Sequence, residues 1–326
     1  MKRILAAAFL LLTAAAAHAE VRGAWTAMSD ETQSDRLHFN FTRRNSNNGM
    51  SIAIGAFTGL TAAQVDATAQ TPVRFELRRE AGTLVLEGLF RSREGAGHFT
   101  FTGNSGYYDA VRALGVPVDP KRDRGDNDDP EVRLMYYAMH DVSTGFIRSM
   151  QAEGYRVTLD EYMTMRIFRI NPQLVAELRD LGYRNIAFDD LVATAVHRVT
   201  PAYIREMRAA GFRELSLDEL VATRIHKVTP EFAAQMKSLG YDLPIDELQA
   251  FRIHRVTPEF VRDLAGLGYR NVSADNLVAM RIHRVTPEFI RQLREAGYSN
   301  VPVEKLIEMK IHRIDPEFIQ RMNRTQ

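Results

Sequence analysis

Arg252-Ile253-His254-Arg255-Val256-Thr257-Pro258-Glu259-Phe260 is the stretch that decides the fold. It returns as Arg281–Phe289, as Arg224–Phe232 with Lys227, and as Lys310–Phe318 with Ile314 and Asp315. Weaker copies begin at Ala195, at Arg166 and near Ala138. The histidine marks the series at His140, His197, His226, His254, His283 and His312, with Phe168 in the second slot. The steps are 28, 29, 29, 28, 29 and 29 residues. A constant period of this length is the signature of a stack of one supersecondary unit.

Each copy reads as two short helices. Thr257 is a good N-cap, Pro258 suits the first helical position and Glu259 sits in the positive first turn. Phe260, Val261, Leu264 and Leu267 then share one apolar face. Gly268 supplies a left-handed stop and Tyr269 the apolar residue that packs back across it. The same Gly-aromatic pair recurs at Gly154-Tyr155, Gly182-Tyr183, Gly211-Phe212, Gly240-Tyr241 and Gly297-Tyr298. A second helix follows, with capping boxes predicted at Thr158/Glu161 and Ser216/Glu219. Leu277, Val278 and Ile282 are expected to face inward from it. It should end at the His-Arg-Val segment, because the following Thr-Pro disfavours helix. One such unit cannot bury its apolar stripe alone, so about seven of them are expected to stack into an α-solenoid.

Upstream of the repeats the period changes from 3.6 to 2. Leu37, Phe39 and Phe41 alternate with His38 and Asn40, and Val73, Phe75 and Leu77 alternate with Arg74, Glu76 and Arg78. Leu84 and Leu86 follow the tight turn Glu80-Ala81-Gly82. Phe99 and Phe101 follow the turn-prone run Arg93-Glu94-Gly95-Ala96-Gly97. The last three strands should form an antiparallel meander with one greasy face. Its cover would come from the start of the helical region or from a second layer built by residues 21–65. Trp25, the only tryptophan, is expected in this core.

The predicted fold class is α+β, a small antiparallel β domain followed by an α-solenoid of helix-turn-helix repeats. Residues 1–19 form a leader and 20–104 the β domain. Residues 105–138 form a capping half-repeat with a charged insertion, and 139–326 the repeat domain. Ser105 to Val116 reads as a first helix stopped at Gly115, and Glu317 to Asn323 as a polar C-terminal cap. The insertion, Asp119 to Asp129, is a solvated loop, or a calcium loop through Asp126, Asp128 and Asp129 that lacks D-x-D-x-D-G spacing. It also contains the tripeptide Arg124-Gly125-Asp126.

The N-terminus carries Lys2 and Arg3, an apolar run from Ile4 to Ala17 and the small-x-small pattern Ala17-His18-Ala19. The run is shorter than a membrane-spanning helix of about twenty residues, so it reads as an export signal cut after Ala19. No later stretch is apolar enough to span a bilayer, so the expected location is periplasmic or extracellular. The 326 residues are 45% hydrophobic and 25% charged, the balance of a folded soluble chain. With 42 Lys+Arg against 41 Asp+Glu, nothing drives non-specific nucleic-acid binding. The chain has no cysteine, which excludes disulfides, Cys-ligated metals and thiol nucleophiles.

No G-x-S-x-G, H-E-x-x-H, Walker A or G-x-G-x-x-G is present. Adjacent pairs such as Asp189-Asp190 and Asp128-Asp129 do not face one another across a cleft by any spacing argument, so no catalytic residue and no cofactor is expected. One histidine per repeat invites a metal, but packed helices lie about 8–10 Å apart and a zinc needs its ligand nitrogens about 2 Å from one point. The histidines are instead expected to close the second helices. The cations before them (Arg166, Arg224, Arg252, Arg281, Lys310) and after them (Arg169, Arg198, Lys227, Arg255, Arg284, Arg313) form a second ladder. It either pairs with acids such as Glu231, Glu259, Glu288 and Glu317, or Asp218, Asp246 and Asp275, or forms a basic ridge. The candidate ridge is Arg224, His226, Arg252, His254, Arg255, Arg281, His283 and Arg284. The expected partner is an unidentified protein or peptide of the cell envelope. An anionic envelope polymer on the ridge is the alternative, and an enzyme site near His98, Tyr107 and Tyr108 a third reading.

The Val-Thr-Pro-Glu-Phe-(Ile/Val)-Arg helix, the Gly-Tyr stop and the Leu-(Val/Ile)-x-x-(Arg/Lys)-Ile-His helix resemble a repeat of bacterial envelope proteins. They are similar to the repeats trailing the membrane metallopeptidases of the β-lactam-sensor antirepressor type. They also resemble secreted proteins in which a head like Phe75–Gly82 and Gly97–Phe101 precedes the repeats. The resemblance covers most of the mature chain and implies an architecture. It carries over no peptidase residue, since H-E-x-x-H and the membrane helices are missing. Phe168, Gln173 and Ala202 depart from the repeat pattern.

Overall fold

The computed structural model describes residues 20–29, 34–44, 46–118 and 129–314. The leader, the charged insertion through Asp128 with its calcium-loop and Arg-Gly-Asp readings, and the C-terminal cap lie outside the described residues. The fold is α+β: a six-stranded antiparallel sheet followed by helices in tandem. The chain divides into two compact units, one ending at Pro172 and the other beginning at Gln173. Among the described residues no helix is long and apolar enough to cross a membrane.

In the first unit the strands are β1 (Glu20–Ser29), β2 (Arg36–Arg43), β3 (Ser46–Ala53), β4 (Thr71–Arg79), β5 (Gly82–Arg91) and β6 (Glu94–Gly103). Their spatial order is β3-β2-β1-β6-β5-β4. The expected meander is β4-β5-β6, with Leu77 opposite Leu84 and Leu86 opposite Phe99. Of the two covers expected, the start of the helical region supplies one. The alternative fails: the strands within residues 21–65 build no second layer but extend the same sheet through the β1–β6 pairing. A second expectation fails at a turn. The turn before β6 is only Ser92-Arg93, both at positive φ, and Glu94 to Gly97 already pair with β5. Glycine signalled a turn there, yet Gly97 is needed for close approach. A Cβ on it would stand 1.9 Å from the Glu87 carbonyl oxygen.

That approach serves Trp25, which is 1% exposed. Its indole lies over the Gly88/Gly97 pair, and its N–H donates to the carbonyls of His98 (3.1 Å) and Glu87 (3.3 Å). A buried indole needs such partners. Its ring meets Phe39 of β2 at 5.9 Å, Phe75 of β4 at 5.5 Å and Phe90 of β5 at 5.5 Å. Phe39 and Phe75 are also 6.3 Å apart, although three strands separate β2 from β4. The sheet therefore curls until its apolar face closes on itself, and the aromatic side chains fill the interior. Two helices complete the cover: α1 (Ala62–Asp66) on β4 and β5, and α3 (Pro130–Met139) on β1, β4, β5 and β6. Three more helices, α2 (Gly106–Arg112), α4 (Thr144–Ala152) and α5 (Leu159–Ile167), belong to this unit. The Glu80 carboxylate, in the β4–β5 turn, accepts from the N–H (2.8 Å) and hydroxyl (3.2 Å) of Thr144 in the first turn of α4.

The repeats continue as α6 (Pro172–Asp180), α7 (Phe188–Val196), α8 (Pro201–Ala209), α9 (Leu217–His226) and α10 (Pro230–Ser238). After these come α11 (Ile245–Ile253), α12 (Pro258–Gly266), α13 (Ala274–Ile282), α14 (Pro287–Glu295) and α15 (Val303–Ile311). Their ends follow the local chemistry read from the sequence. Thr200, Thr229, Thr257 and Thr286 each accept the N–H three residues on, with Pro at the first helical position. Thr158 and Ser216 form the expected capping boxes. The stop glycines from Gly154 to Gly297 all lie at φ between 88° and 106°.

Stacking is by like on like: α7, α9, α11, α13 and α15 touch in succession, and α12 touches α14. The aromatic residue after the glycine does more than pack. The hydroxyls of Tyr183, Tyr241 and Tyr269 donate to the carbonyls of Leu215, Val272 and Val301, each in the next repeat. In the opposite direction Arg208 and Arg294 donate to the carbonyls of Leu181 and Leu267, at the end of the preceding first helix. Backbone acceptors left over by one helix end are thus satisfied by its neighbour.

Candidate functional site

The candidate ridge lies at the C-terminal ends of the second helices. Leu277 and Met280 form the buried pair of α13, as Leu248 and Phe251 do in α11. Ile282 was expected inside and is not: Ile225 is 51% exposed, and Ile253, Ile282 and Ile311 are each 53% exposed. At 100° per residue, Ile282 points about 170° away from the midpoint of Leu277 and Met280. Val196 and Ile167 hold the same slot and are each 44% exposed. One branched apolar side chain per repeat therefore faces solvent on helices that touch in sequence. Leu267 is likewise only half-buried, because it caps α12 rather than lying within it.

The segment after each isoleucine is a Schellman stop built without glycine. The His254 N–H closes on the Ala250 carbonyl (2.9 Å), the Arg255 N–H on that of Arg252 (3.2 Å) and the Val256 N–H on that of Phe251 (2.7 Å). Arg255 is left-handed at φ 59° and Val256 is fully buried. The same cap recurs with Arg169, Arg198, Lys227, Arg284 and Arg313, all at φ 55–59°. Left-handed backbone costs a non-glycine residue about 1–2 kcal/mol, and a cation at a helix C-terminus recovers about 0.3–1 kcal/mol. Glycine is used freely at the other stop of every repeat, so the basic side chain here is not accounted for by the cap.

The two cations of each repeat have different surroundings. The one before the isoleucine is half-buried and engaged. Arg224, Arg252 and Arg281 lie over the rings of Tyr203, Phe232 and Phe260 at 3.6, 4.8 and 4.9 Å from the centroid, and Lys310 over Phe289 at 4.6 Å. Arg252 and Arg281 also donate through Nε to the carbonyls of His226 and His254 in the previous repeat, both at 3.4 Å. These are packing residues. The one after the histidine is exposed: Lys227, Arg255 and Arg284 join no ion pair among the described residues. Of the anticipated acids, Glu259 pairs with Arg262 (3.4 Å) and Glu288 with Arg291 (2.9 Å) inside their own helices.

His226, His254 and His283 are half-buried at the helix ends, and their backbone rather than their imidazole closes the helix. Among the described residues no three His, Asp or Glu side chains come together in a way that would hold a metal ion. A cleft of about 320 Å³ lies between Ile225, His226 and Lys227 of one repeat and Arg252 and Arg255 of the next. The structure thus brings together the apolar side chain, the imidazole and the free cation, and withdraws Arg224, Arg252 and Arg281 toward aromatic rings. Sequence reasoning missed the isoleucines. The signal was present in their offset from the Leu/Met face.

Of the residues of the third reading, Tyr107 and Tyr108 lie with ring centroids 6.1 Å apart. His98 stands exposed on the outer face of β6, whereas Tyr107 is 1% exposed and donates to the Val142 carbonyl (2.5 Å). Burial raises the hydroxyl pKa of Tyr107 above the ordinary tyrosine value and pushes that of Tyr108 up to about 12. Both hydroxyls are therefore neutral near pH 7. Comparison with known proteins yields no matching family model, no matching curated protein and no matching solved structure.

Proposed function

We propose that the chain is an exported, non-enzymatic repeat scaffold that binds a protein or peptide of the cell envelope along its second-helix ends. The observation that carries this reading is the row of half-exposed residues Ile225, Ile253, Ile282 and Ile311, one per repeat, each followed by an imidazole and a left-handed cation. Fully burying an aliphatic side chain is worth about 1.5–3 kcal/mol, so a partner covering several half-exposed isoleucines gains a few kcal/mol. The free cations add orientation and favour an acidic rim on the partner. The leader sequence supports export.

The test is capture from envelope extract by the purified chain and by an Ile253→Ser/Ile282→Ser variant. Both isoleucines are exposed, so the variant should fold as the parent does. A partner retained reproducibly by the parent and lost by the variant supports the reading, and no reproducible partner overturns it. An anionic polymer is the second reading, favoured by Arg255 and Arg284, which join no ion pair among the described residues. It predicts retention that falls steeply with salt and disappears in Arg255→Glu/Arg284→Glu. Substituting Arg255→Gly separates function from folding: stability should hold or rise by up to about 1 kcal/mol in thermal unfolding, while binding weakens.

A further inference from the structure

A second feature, independent of the ridge, lies wholly within the first unit. A cleft of about 480 Å³ is walled on one side by residues 49–53 of β3 and on others by Arg36, Arg79, Asp141, Arg166 and Arg169. β3 ends the strand order, so it has a strand partner on one side only. Consecutive residues of a strand point to alternate faces. Five in a row lining one cleft means that the cleft runs along the backbone edge of β3 and not over one of its faces. Such an edge presents hydrogen-bonding groups at the spacing of another extended chain. Arg36 already reaches the Ser51 carbonyl from this side.

The rest of the cleft is cationic. Four guanidinium groups face one carboxylate, Asp141, which is shared between Arg79 (3.1 Å) and Arg166 (3.2 Å). Arg166 is fixed further by its Nε bond to the His140 carbonyl (2.9 Å) and by the Phe146 ring at 5.1 Å. Arg169 is exposed and held left-handed at φ 59°, joining no ion pair among the described residues. The Nε group of Arg36 is buried and has no hydrogen-bond acceptor among the described residues. A buried donor without a partner calls for an unseen one, and the planar fork of a guanidinium matches a carboxylate.

We propose that this cleft receives an extended acidic peptide segment, which adds as a strand along the outer edge of β3 and places a carboxylate against the arginine cluster. Strand addition supplies affinity through the main chain, and the alternate side chains of the guest supply specificity. The choice of a peptide over a small anion rests on the strand edge. The choice of an acidic one rests on the three positive charges left after Asp141 is counted.

The experiment uses the full chain and a fluorescein-labelled peptide of alternating Glu and Val, with its Lys–Val counterpart as control. Anisotropy should show saturable binding of the Glu–Val peptide only, weakened at least tenfold by Arg169→Gly. Glycine keeps the left-handed stop while removing the charge, so loss of binding is not loss of fold. Arg169→Lys should restore part of the affinity. Amide exchange of residues 46–53 should slow on adding the peptide. Equal binding of the Lys–Val peptide, no effect of Arg169→Gly, or unchanged exchange in β3 would overturn the proposal. So would full competition by citrate or phosphate with no protection of β3, which would assign the cleft to a small anion.

Discussion

The two compact units carry the same repeat to different ends. In the first, the left-handed position of the first copy is Asp141 (φ 55°), a carboxylate tied to Arg79 and Arg166, and the histidine slot of the next copy is Phe168. In the second, every left-handed position after a histidine is a cation, and Lys227, Arg255 and Arg284 stand unpaired among the described residues. The cap accepts either charge, so the residue found there reflects what it faces rather than what the turn requires. The units differ in connectivity too. The sheet joins residues as distant as Glu20 and Thr102, while helices of the second unit touch the corresponding helix one repeat away. Long-range closure concentrates stability in a few central side chains, and nearest-neighbour stacking spreads it over many.

The largest test of that contrast is Trp25→Ala. The ring joins β2, β4 and β5, so its removal should cost the first unit about 3–5 kcal/mol, read from urea unfolding by circular dichroism. An unchanged midpoint would show that the curled sheet is held by something else. The second test falls on a pair where the stack buries polar side chains against each other. The hydroxyls of Tyr203 and Thr223 are 2.7 Å apart, in slots where other repeats pair Phe260 with Met280. Thr223→Val alone should cost about 1 kcal/mol, since the Tyr203 hydroxyl keeps the Val228 carbonyl (3.3 Å), and adding it to Tyr203→Phe should cost less than it does in the parent. Simple additivity of the two would contradict the pairing. The smallest expected effect separates packing from inter-repeat bonding. Tyr269→Phe loses the 2.8 Å bond to the Val301 carbonyl and should cost about 0.5–1.5 kcal/mol. Tyr298→Phe should cost nothing measurable in the same thermal scan, because Tyr298 is 42% exposed and its hydroxyl bonds nothing among the described residues.

The sequence by itself determined the period, the two stops of each repeat, the caps at Thr257 and Ser216, and the alternation that makes β2, β4 and β6 strands. All of these are decided within a few residues, by a hydroxyl reaching an N–H three positions on, by the left-handed freedom of Gly268, or by period-two patterning. What the sequence left open needed groups far apart in the chain. Ile282 reads as core by composition, and only the packing of α13 turns its last residue outward. The cation ladder reads as one set, and only the neighbouring repeat separates the arginines lying on rings from those facing water. Residues 21–65 read as one of two covers for the meander, and only the pairing of β1 with β6 makes their strands part of one curled sheet. Local hydrogen bonding is written in the residues that make it, whereas exposure and charge pairing belong to surfaces that exist only once distant segments have packed.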